Sequence, residues 1–309
     1  QALHKRRSRQ RQMCIGESIK RAYLCAKTDP EDPTCVELPK EHPRHKDGDS
    51  CALLLKHMYG TRKAGDGWHV EISGTLTEKL GITKGDDSAC ILRHPERSIE
   101  CSIHGDDLSA QGPTPELDWY KQELEKTYEF KEGARLGPGP QDDKEPRMLN
   151  RIVRWTTEGI EYEADPKHRK LIMEHFGFDE ESSGLVFNGE KDSKKEEEWE
   201  EVLLEKGDAT VFRGVAARAN FISFDCPDLQ FPVKQMSREM AKPMVGSWKR
   251  MKKIARYLVN RKRVIWHFNW QDRRNVSHTC GDSDWEGRTG SRKSTPGGVW
   301  MLGAHEHTH

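Results

Sequence analysis

Apolar positions along the chain fall into helical stripes and short runs rather than long blocks. Trp68, Ile72, Leu76 and Leu80 recur at every fourth position, which lines one side of a helix, and Gly81 follows as its stop. Leu117, Tyr120, Leu124 and Tyr128 predict a second helix, with Thr114 as its cap and Pro115 in the first turn, where a missing N–H does no harm. Asp165-Pro166 opens a third helix that Gly177 ends. Phe212, Val215, Ala219 and Ile222 share a face, as do Trp248, Met251, Ala255 and Leu258, so a helical region occupies the later half.

The remaining apolar runs are short enough for strands. Residues 19–26 and 34–38 flank the turn-prone stretch 28–33, and 53–58 is another short run. Residues 89–93 and 98–103 surround Pro95-Glu96-Arg97, residues 147–155 and 159–163 pair as a hairpin, and 276–284 and 299–302 read as late strands. The elements read from the pattern are thus helices interspersed with short hairpins.

Composition narrows the picture only slightly. The chain has 309 residues with 51 basic and 51 acidic side chains, so total charge says nothing about partners. No apolar run is long enough to span a bilayer and no secretory leader is evident, so an intracellular protein without a membrane partner is expected. The 8 cysteines lack any C-x-x-C pair and read as reduced thiols. His305, His307 and His309 could hold a metal, but nothing else nearby closes a site and a frayed tail is the simpler expectation. Residues 1–12 read as a disordered basic arm, and the charged segment 190–198 as part of a flexible insert.

Chemistry concentrates at His104-Gly105-Asp106-Asp107, a hairpin tip bearing adjacent carboxylates. Magnesium takes oxygen ligands, and a rigid pair of carboxylates open to substrate is what two-metal phosphoryl transfer requires. The plain alternative is a solvated turn, and Asp86-Asp87 and Asp142-Asp143 also occur. A second candidate is the basic stretch Lys249, Arg250, Lys252, Lys253 and Arg256, continued by Arg261 to Arg263, opposite an apolar stripe. It suits sequence-independent contact with a phosphate backbone, or is a solvated helix face; acidic residues are nearly absent from the surrounding sequence.

Several blocks, in order, resemble the reverse transcriptase of Ty1/copia-type retrotransposon Pol polyproteins. They are Arg21-Ala22-Tyr23-Leu24 with Val36-Glu37-Leu38-Pro39, then Met58-Tyr59-Gly60-Thr61-Arg62-Lys63-Ala64 with Trp68, then the Asp106-Asp107 tip, which is similar to the family's Tyr-x-Asp-Asp hairpin. Phe212-Arg213-Gly214-Val215-Ala216, Pro227-Asp228-Leu229-Gln230-Phe231 and Arg256-Tyr257-Leu258 continue the series. Gly281-Asp282-Ser283-Asp284-Trp285 with Ser294-Thr295-Pro296 resembles the opening of the family's ribonuclease H domain.

The resemblance implies an RNA-directed DNA polymerase of α+β fold, built as a palm of antiparallel sheet with packed helices, a helical thumb or connection and a truncated ribonuclease H-like hairpin. Its expected divisions are a fingers remnant and palm at 13–178, the charged insert at 179–207, the thumb or connection at 208–270 and the ribonuclease H start at 276–309. Asp106 and Asp107 would bind two Mg2+ ions, Tyr23, Gly60 and Lys63 would lie at the deoxynucleotide triphosphate, and Lys249, Arg250, Lys252, Lys253 and Arg256 would hold a template–primer duplex. Other parts of a Pol polyprotein are expected partners, in a cytoplasmic particle or the nucleus.

One main departure and three lesser ones point to a degenerate protein. The family's first catalytic aspartate falls at Ser18, whose neutral hydroxyl cannot replace a charged metal ligand. Glu17 is adjacent, but successive strand residues face opposite ways. Pro232 falls inside an expected helix and removes a backbone donor, at about 3 kcal/mol. The stretch before Ser18 is short for the family's fingers, and Asp282 would be the first ribonuclease H carboxylate without the others, so hybrid hydrolysis is not expected. The alternatives are a non-catalytic nucleic-acid-binding remnant of the same fold, or a decayed reading frame whose product folds poorly.

Overall fold

The computed structural model describes residues 13–46, 51–131, 133–186, 202–272, 276–283 and 294–308. The basic arm at 1–12, the insert segment 190–198 and His309 lie outside these residues. The fold is α+β, in two compact units that divide between Pro146 and Arg147.

The first unit is built on β1 (Met13–Ser18), a two-stranded ribbon of β2 (Cys35–Glu37) and β3 (Cys51–Leu53), and then β4 (Thr83–Lys84), β5 (Ile91–Arg93), β6 (Glu100–His104), β7 (Asp107–Gly112) and β8 (Ala134–Leu136). The main sheet has six strands in the order β4-β5-β6-β7-β1-β8, with antiparallel neighbours throughout. Two helices pack on it, α1 (Ala64–Gly74, extended by a wider π turn over Thr75–Lys79) and α2 (Thr114–Glu125). Both stripes expected from the sequence are inside: Trp68, Ile72, Leu76 and Leu80 from α1 and its extension, Leu117, Tyr120 and Leu124 from α2, with Tyr128 just beyond. They meet Cys101 and Ile103 of β6 and Leu108 and Ala110 of β7, the alternate residues of one sheet face. Full burial of each large side chain contributes roughly 1.5–3 kcal/mol, so these stripes fix which face the helices cover. Gly81 has φ of 67°, as a helix stop should.

Two local expectations change. Residues 19–26 are not a strand: Arg21 adopts a left-handed conformation (φ 55°, ψ 37°), and Ala22–Cys25 then form a 3-10 turn. The strand lies earlier, in β1, which ends at Ser18. Thr114 is the first helical residue of α2 rather than its cap, because Pro113 ahead of it already has extended backbone.

The second unit holds β9 (Arg147–Met148), β10 (Arg151–Trp155), β11 (Gly159–Ala164), α3 (Pro166–His175), α4 (Lys206–Ser223), α5 (Pro227–Ser237), α6 (Val245–Asn260), β12 (Ile265–Asn269), β13 (Ser277–Ser283), β14 (Pro296–Leu302) and β15 (His305–Thr308). One antiparallel sheet runs β12-β11-β10-β9 and a second β13-β14-β15. The chain divides well before residue 178 for two physical reasons. Strand β11 pairs with β12, far along the chain, and Ile172 and Met173 of α3 are buried with Phe212, Val215, Met251 and Leu258. The hairpin at 147–164 and its following helix therefore fold with the later helices. Helix α5 runs through Pro232, giving up the bond that residue would have donated to the carbonyl one turn back. The end expected to fray is β15, paired to β14, with the His305 ring 3.1 Å from the Gln271 amide nitrogen. Among the described residues no helix is long and apolar enough to cross a membrane.

Candidate functional site

Strand pairing in the first unit gathers residues far apart in sequence. The register of β1 against β7 places Ser18 opposite Asp107, and β6 against β7 places His104 opposite Asp107, so Gly105 and Asp106 form the hairpin tip. Gly105 has φ of 61°, a conformation that favours glycine. The tip is tied down from two directions. The buried Trp68 indole donates a 2.7 Å hydrogen bond to the Gly105 carbonyl, and the Ile19 amide donates to the Asp106 carbonyl at 2.9 Å.

The side chains follow from this backbone. The Ser18 hydroxyl donates to the Asp106 carboxylate at 3.4 Å. Lys131 completes the group: its amide donates to the Ser18 carbonyl at 2.8 Å, its Nζ donates to the Ser18 hydroxyl oxygen at 3.3 Å, and the same Nζ lies 3.8 Å from Asp106 Oδ2. The Glu17 backbone pairs with Leu108, while its side chain lies outside the described residues.

Tyr23 and Tyr59 stand as a tilted ring pair with centroids 4.4 Å apart. The Tyr59 phenol is pushed above its ordinary pKa by burial first and by the Asp106 charge second. Gly60 has φ of 86° in the turn before α1, where the Thr61 hydroxyl donates to the Met58 carbonyl at 2.7 Å. Lys63 is the residue preceding α1 and forms an ion pair with Asp32.

The described donor set does not match two magnesium ions. It offers adjacent carboxylates and a neutral hydroxyl, with an ammonium drawn to one carboxylate. Among the described residues no three His, Cys, Asp or Glu side chains gather as a metal cluster. Hard divalent ions need more anionic oxygen than this arrangement supplies.

The basic helix is α6, in the second unit, and its sequence neighbourhood is misleading. Arg250 Nη2 donates to both Glu239 carboxylate oxygens, at 2.6 and 2.7 Å, and the Arg256 guanidinium donates to the Ser183 carbonyl at 3.4 Å. Beyond the helix, Arg261 pairs with Asp228 at 3.0 Å and Arg263 with Glu163 at 2.7 Å. Lys252 lies 5.9 Å from the Phe178 ring centre. The fold thus brings acids from distant segments to cations that look unopposed in sequence. Asp282 sits exposed in β13 opposite Gly297, its carboxylate accepting from the Ser283 amide at 2.8 Å.

Ser18, Asp106 and Asp107 were legible as candidates and are gathered together; Lys131 and Tyr59 were not singled out. The only sequence signal for Lys131 is Phe130, an isolated apolar residue between charges, which proves to bridge Ile19 and so delivers its neighbour to Ser18.

No protein-family model matches the chain. The retrovirus-related Pol polyprotein from transposon RE2 of Arabidopsis thaliana is 24% identical over 265 residues, which is 83% of this chain and 17% of that protein. The corresponding polyprotein from transposon RE1 is 23% identical over 259 residues, 82% of this chain and 16% of its own length. An uncharacterised mitochondrial protein of the same plant is 29% identical over 101 residues, 32% of this chain and 40% of that protein. The chain therefore spans about a sixth of the length of the two polyproteins. It is a relative of the retrovirus-related Pol polyproteins of transposons, matched to them along most of its own length.

Proposed function

We propose that the chain is a retrotransposon-derived reverse-transcriptase domain of Ty1/copia type, with a palm-like first unit and a polymerase centre made degenerate by serine at position 18. The observation that carries this reading is the convergence of Ser18, Asp106 and Asp107 on β1 and the β6–β7 tip, from positions a resemblance in sequence alone had paired. In an intact centre of this class, three carboxylates would hold Mg2+ ions whose charge would favour attack of a primer 3′-oxygen on the α-phosphate of a deoxynucleoside triphosphate, with pyrophosphate leaving. Here the third carboxylate is replaced by a hydroxyl, and its loss is expected to lower the rate about a thousandfold or more. Tyr23, paired with Tyr59, would crowd the sugar of an incoming nucleotide, and Gly60 and Lys63 would border the nascent pair. Lys249, Arg250, Lys252, Lys253 and Arg256 of α6 are the cations proposed to meet a template–primer backbone, and Arg250 and Arg256 also bond within the fold.

The test is primer extension on an RNA template with Mg2+ and all four deoxynucleotides, together with salt-dependent duplex binding. The chain as it stands, Ser18→Asp and Asp106→Ala are compared. Binding by all three with extension only by Ser18→Asp is the expected result. Extension by the unaltered chain that Asp106→Ala abolishes would overturn the degenerate site, and absence of duplex binding throughout would overturn the polymerase ancestry of this surface.

A further inference from the structure

Resting on the reading of the Ser18–Asp106–Asp107 centre above, we propose that Lys131 supplies this site with its own cation. Its ammonium neutralises Asp106 in the place a divalent ion would otherwise take, so that a carboxylate at position 18 admits such an ion only weakly and full affinity needs Lys131 changed as well.

The placement of Lys131 is a property of the backbone as well as of the side chain. Residues 129–131 run antiparallel to 18–20: the Lys20 amide donates to the Glu129 carbonyl at 2.8 Å, Ile19 bridges Phe130, and the Lys131 amide donates to the Ser18 carbonyl at 2.8 Å. The Lys20 ammonium and Glu129 carboxylate close the same ribbon at 2.6 Å. Ile19 is fully buried and Phe130 packs against the same core, so the ribbon is anchored beneath. The Lys131 side chain then reaches back across Ser18, with Nζ 3.3 Å from the hydroxyl and 3.8 Å from Asp106 Oδ2.

Chemistry at position 18 decides what this ammonium does. A hydroxyl accepts a hydrogen bond from an ammonium without competing for a divalent ion, so Ser18 and Lys131 form a neutral-plus-cationic pair that leaves Asp106 half satisfied and the group short of negative charge. A carboxylate at 18 would raise the local charge enough to draw a divalent ion, but the ion would still have to displace Lys131. Two like charges at about 4 Å repel appreciably even when part-exposed, so removing the ammonium should tighten ion binding about tenfold. Positive charge at residue 131 is thus the gate, and the anionic ligand at residue 18 is the lock's other half.

The experiment is Mn2+ binding followed by electron paramagnetic resonance of the free ion, on the full chain without nucleic acid. Variants are Ser18→Asp, Lys131→Met, Lys131→Arg, the double variant S18D/K131M, Glu17→Gln and Asp106→Asn. The expected order is weak binding by the unaltered chain and Lys131→Arg, intermediate binding by Ser18→Asp, and binding about tenfold tighter again by the double variant. Asp106→Asn should abolish whatever the others gain. Equal affinity of Ser18→Asp and the double variant would overturn the proposal, since Lys131 would then not contest the site. Tight binding by the unaltered chain that Glu17→Gln removes would overturn it too, by showing another carboxylate at work. Duplex binding measured in metal-free buffer reports separately on the polymerase reading, so failure of one is not mistaken for failure of the other. Retention of that binding and of the circular-dichroism spectrum in Lys131→Met certifies the fold.

Discussion

Replacing Trp68 with phenylalanine tests how the hairpin tip is held. Trp68 is 1% exposed, meets Tyr128 edge-on with ring centroids 5.5 Å apart, and donates its indole N–H to the Gly105 carbonyl at 2.7 Å. Phenylalanine keeps an aromatic ring against Tyr128 but removes the donor and part of the volume. The lost hydrogen bond is worth about 1 kcal/mol and the incompletely filled space about 1–2 kcal/mol, for a total of about 2–3 kcal/mol. With a urea dependence of about 2 kcal/mol per M, the midpoint should fall by about 1–1.5 M. The buried thiols make the readout specific to each unit: Cys101 lies in the first core and Cys226 in the second. Brief alkylation across a urea series, with mass-spectrometric mapping of each cysteine, should show the Cys101 midpoint shifted and the Cys226 midpoint moved less. A Cys101 midpoint within about 0.3 M of the unaltered chain would refute the claim that this indole anchors the tip.

Three further outcomes are expected. Glu163 is 4% exposed and its carboxyl is held below its ordinary pKa by Arg263 foremost and by Arg154, so its contribution is present above the unfolded carboxylate pKa and lost as pH falls through the folded one; Glu163→Gln should destabilise the second unit by about 2–4 kcal/mol at neutral pH and flatten that acid limb in pH-dependent urea titrations. Burial pushes the Cys101 and Cys226 thiols from 9.0 up to about 12, so the unfolded chain loses these protons first and stability should fall as pH rises from about 9 towards 12, by at most about 1.4 kcal/mol per pH unit per thiol, with both thiols slow to react with iodoacetamide at pH 9 while exposed Cys35 and Cys51 react. Ser18→Asp should lower stability of the first unit by about 1 kcal/mol at low ionic strength, an effect that rising salt reduces, as followed by the Cys101 midpoint.

Legibility of the fold tracked the range of the interactions that decide it. The stripes of α1 and α2 were plain because every member faces one core, and the hairpin tip was plain because glycine and two aspartates sit between apolar runs. Residues 19–26 misled because Ile19 and Ala22 are buried as a strand's would be, yet the turn at Arg21 is a backbone choice that hydrophobic pattern does not encode. The division of the chain was hidden for a related reason. Nothing local in residues 159–164 announces that their partner strand is 265–269. The candidate site divides the same way: its acids were readable as chemistry, whereas Lys131 depends on a bridge between Ile19 and Phe130 that only the folded chain makes. The basic helix erred in the opposite direction, since Glu239, Asp228 and Glu163 reach its neighbourhood through the fold.

Ser18 contributes to the fold chiefly through its backbone, and this separates stability from chemistry at the centre. Its main chain lies in register with Asp107 in the sheet and its carbonyl accepts from the Lys131 amide, an arrangement any residue with extended backbone can adopt. Its side chain is half-buried and offers one hydroxyl to Asp106 at 3.4 Å, a long contact worth little to folding. On the proposed reading, serine in place of aspartate therefore leaves the sheet register, the Trp68 anchor and the core intact while removing a full negative charge from beside Asp106. On that reading, the one substitution removes the polymerase chemistry and spares the scaffold. The reverse change asks only for charge compensation, because the backbone that must hold the carboxylate is already in position.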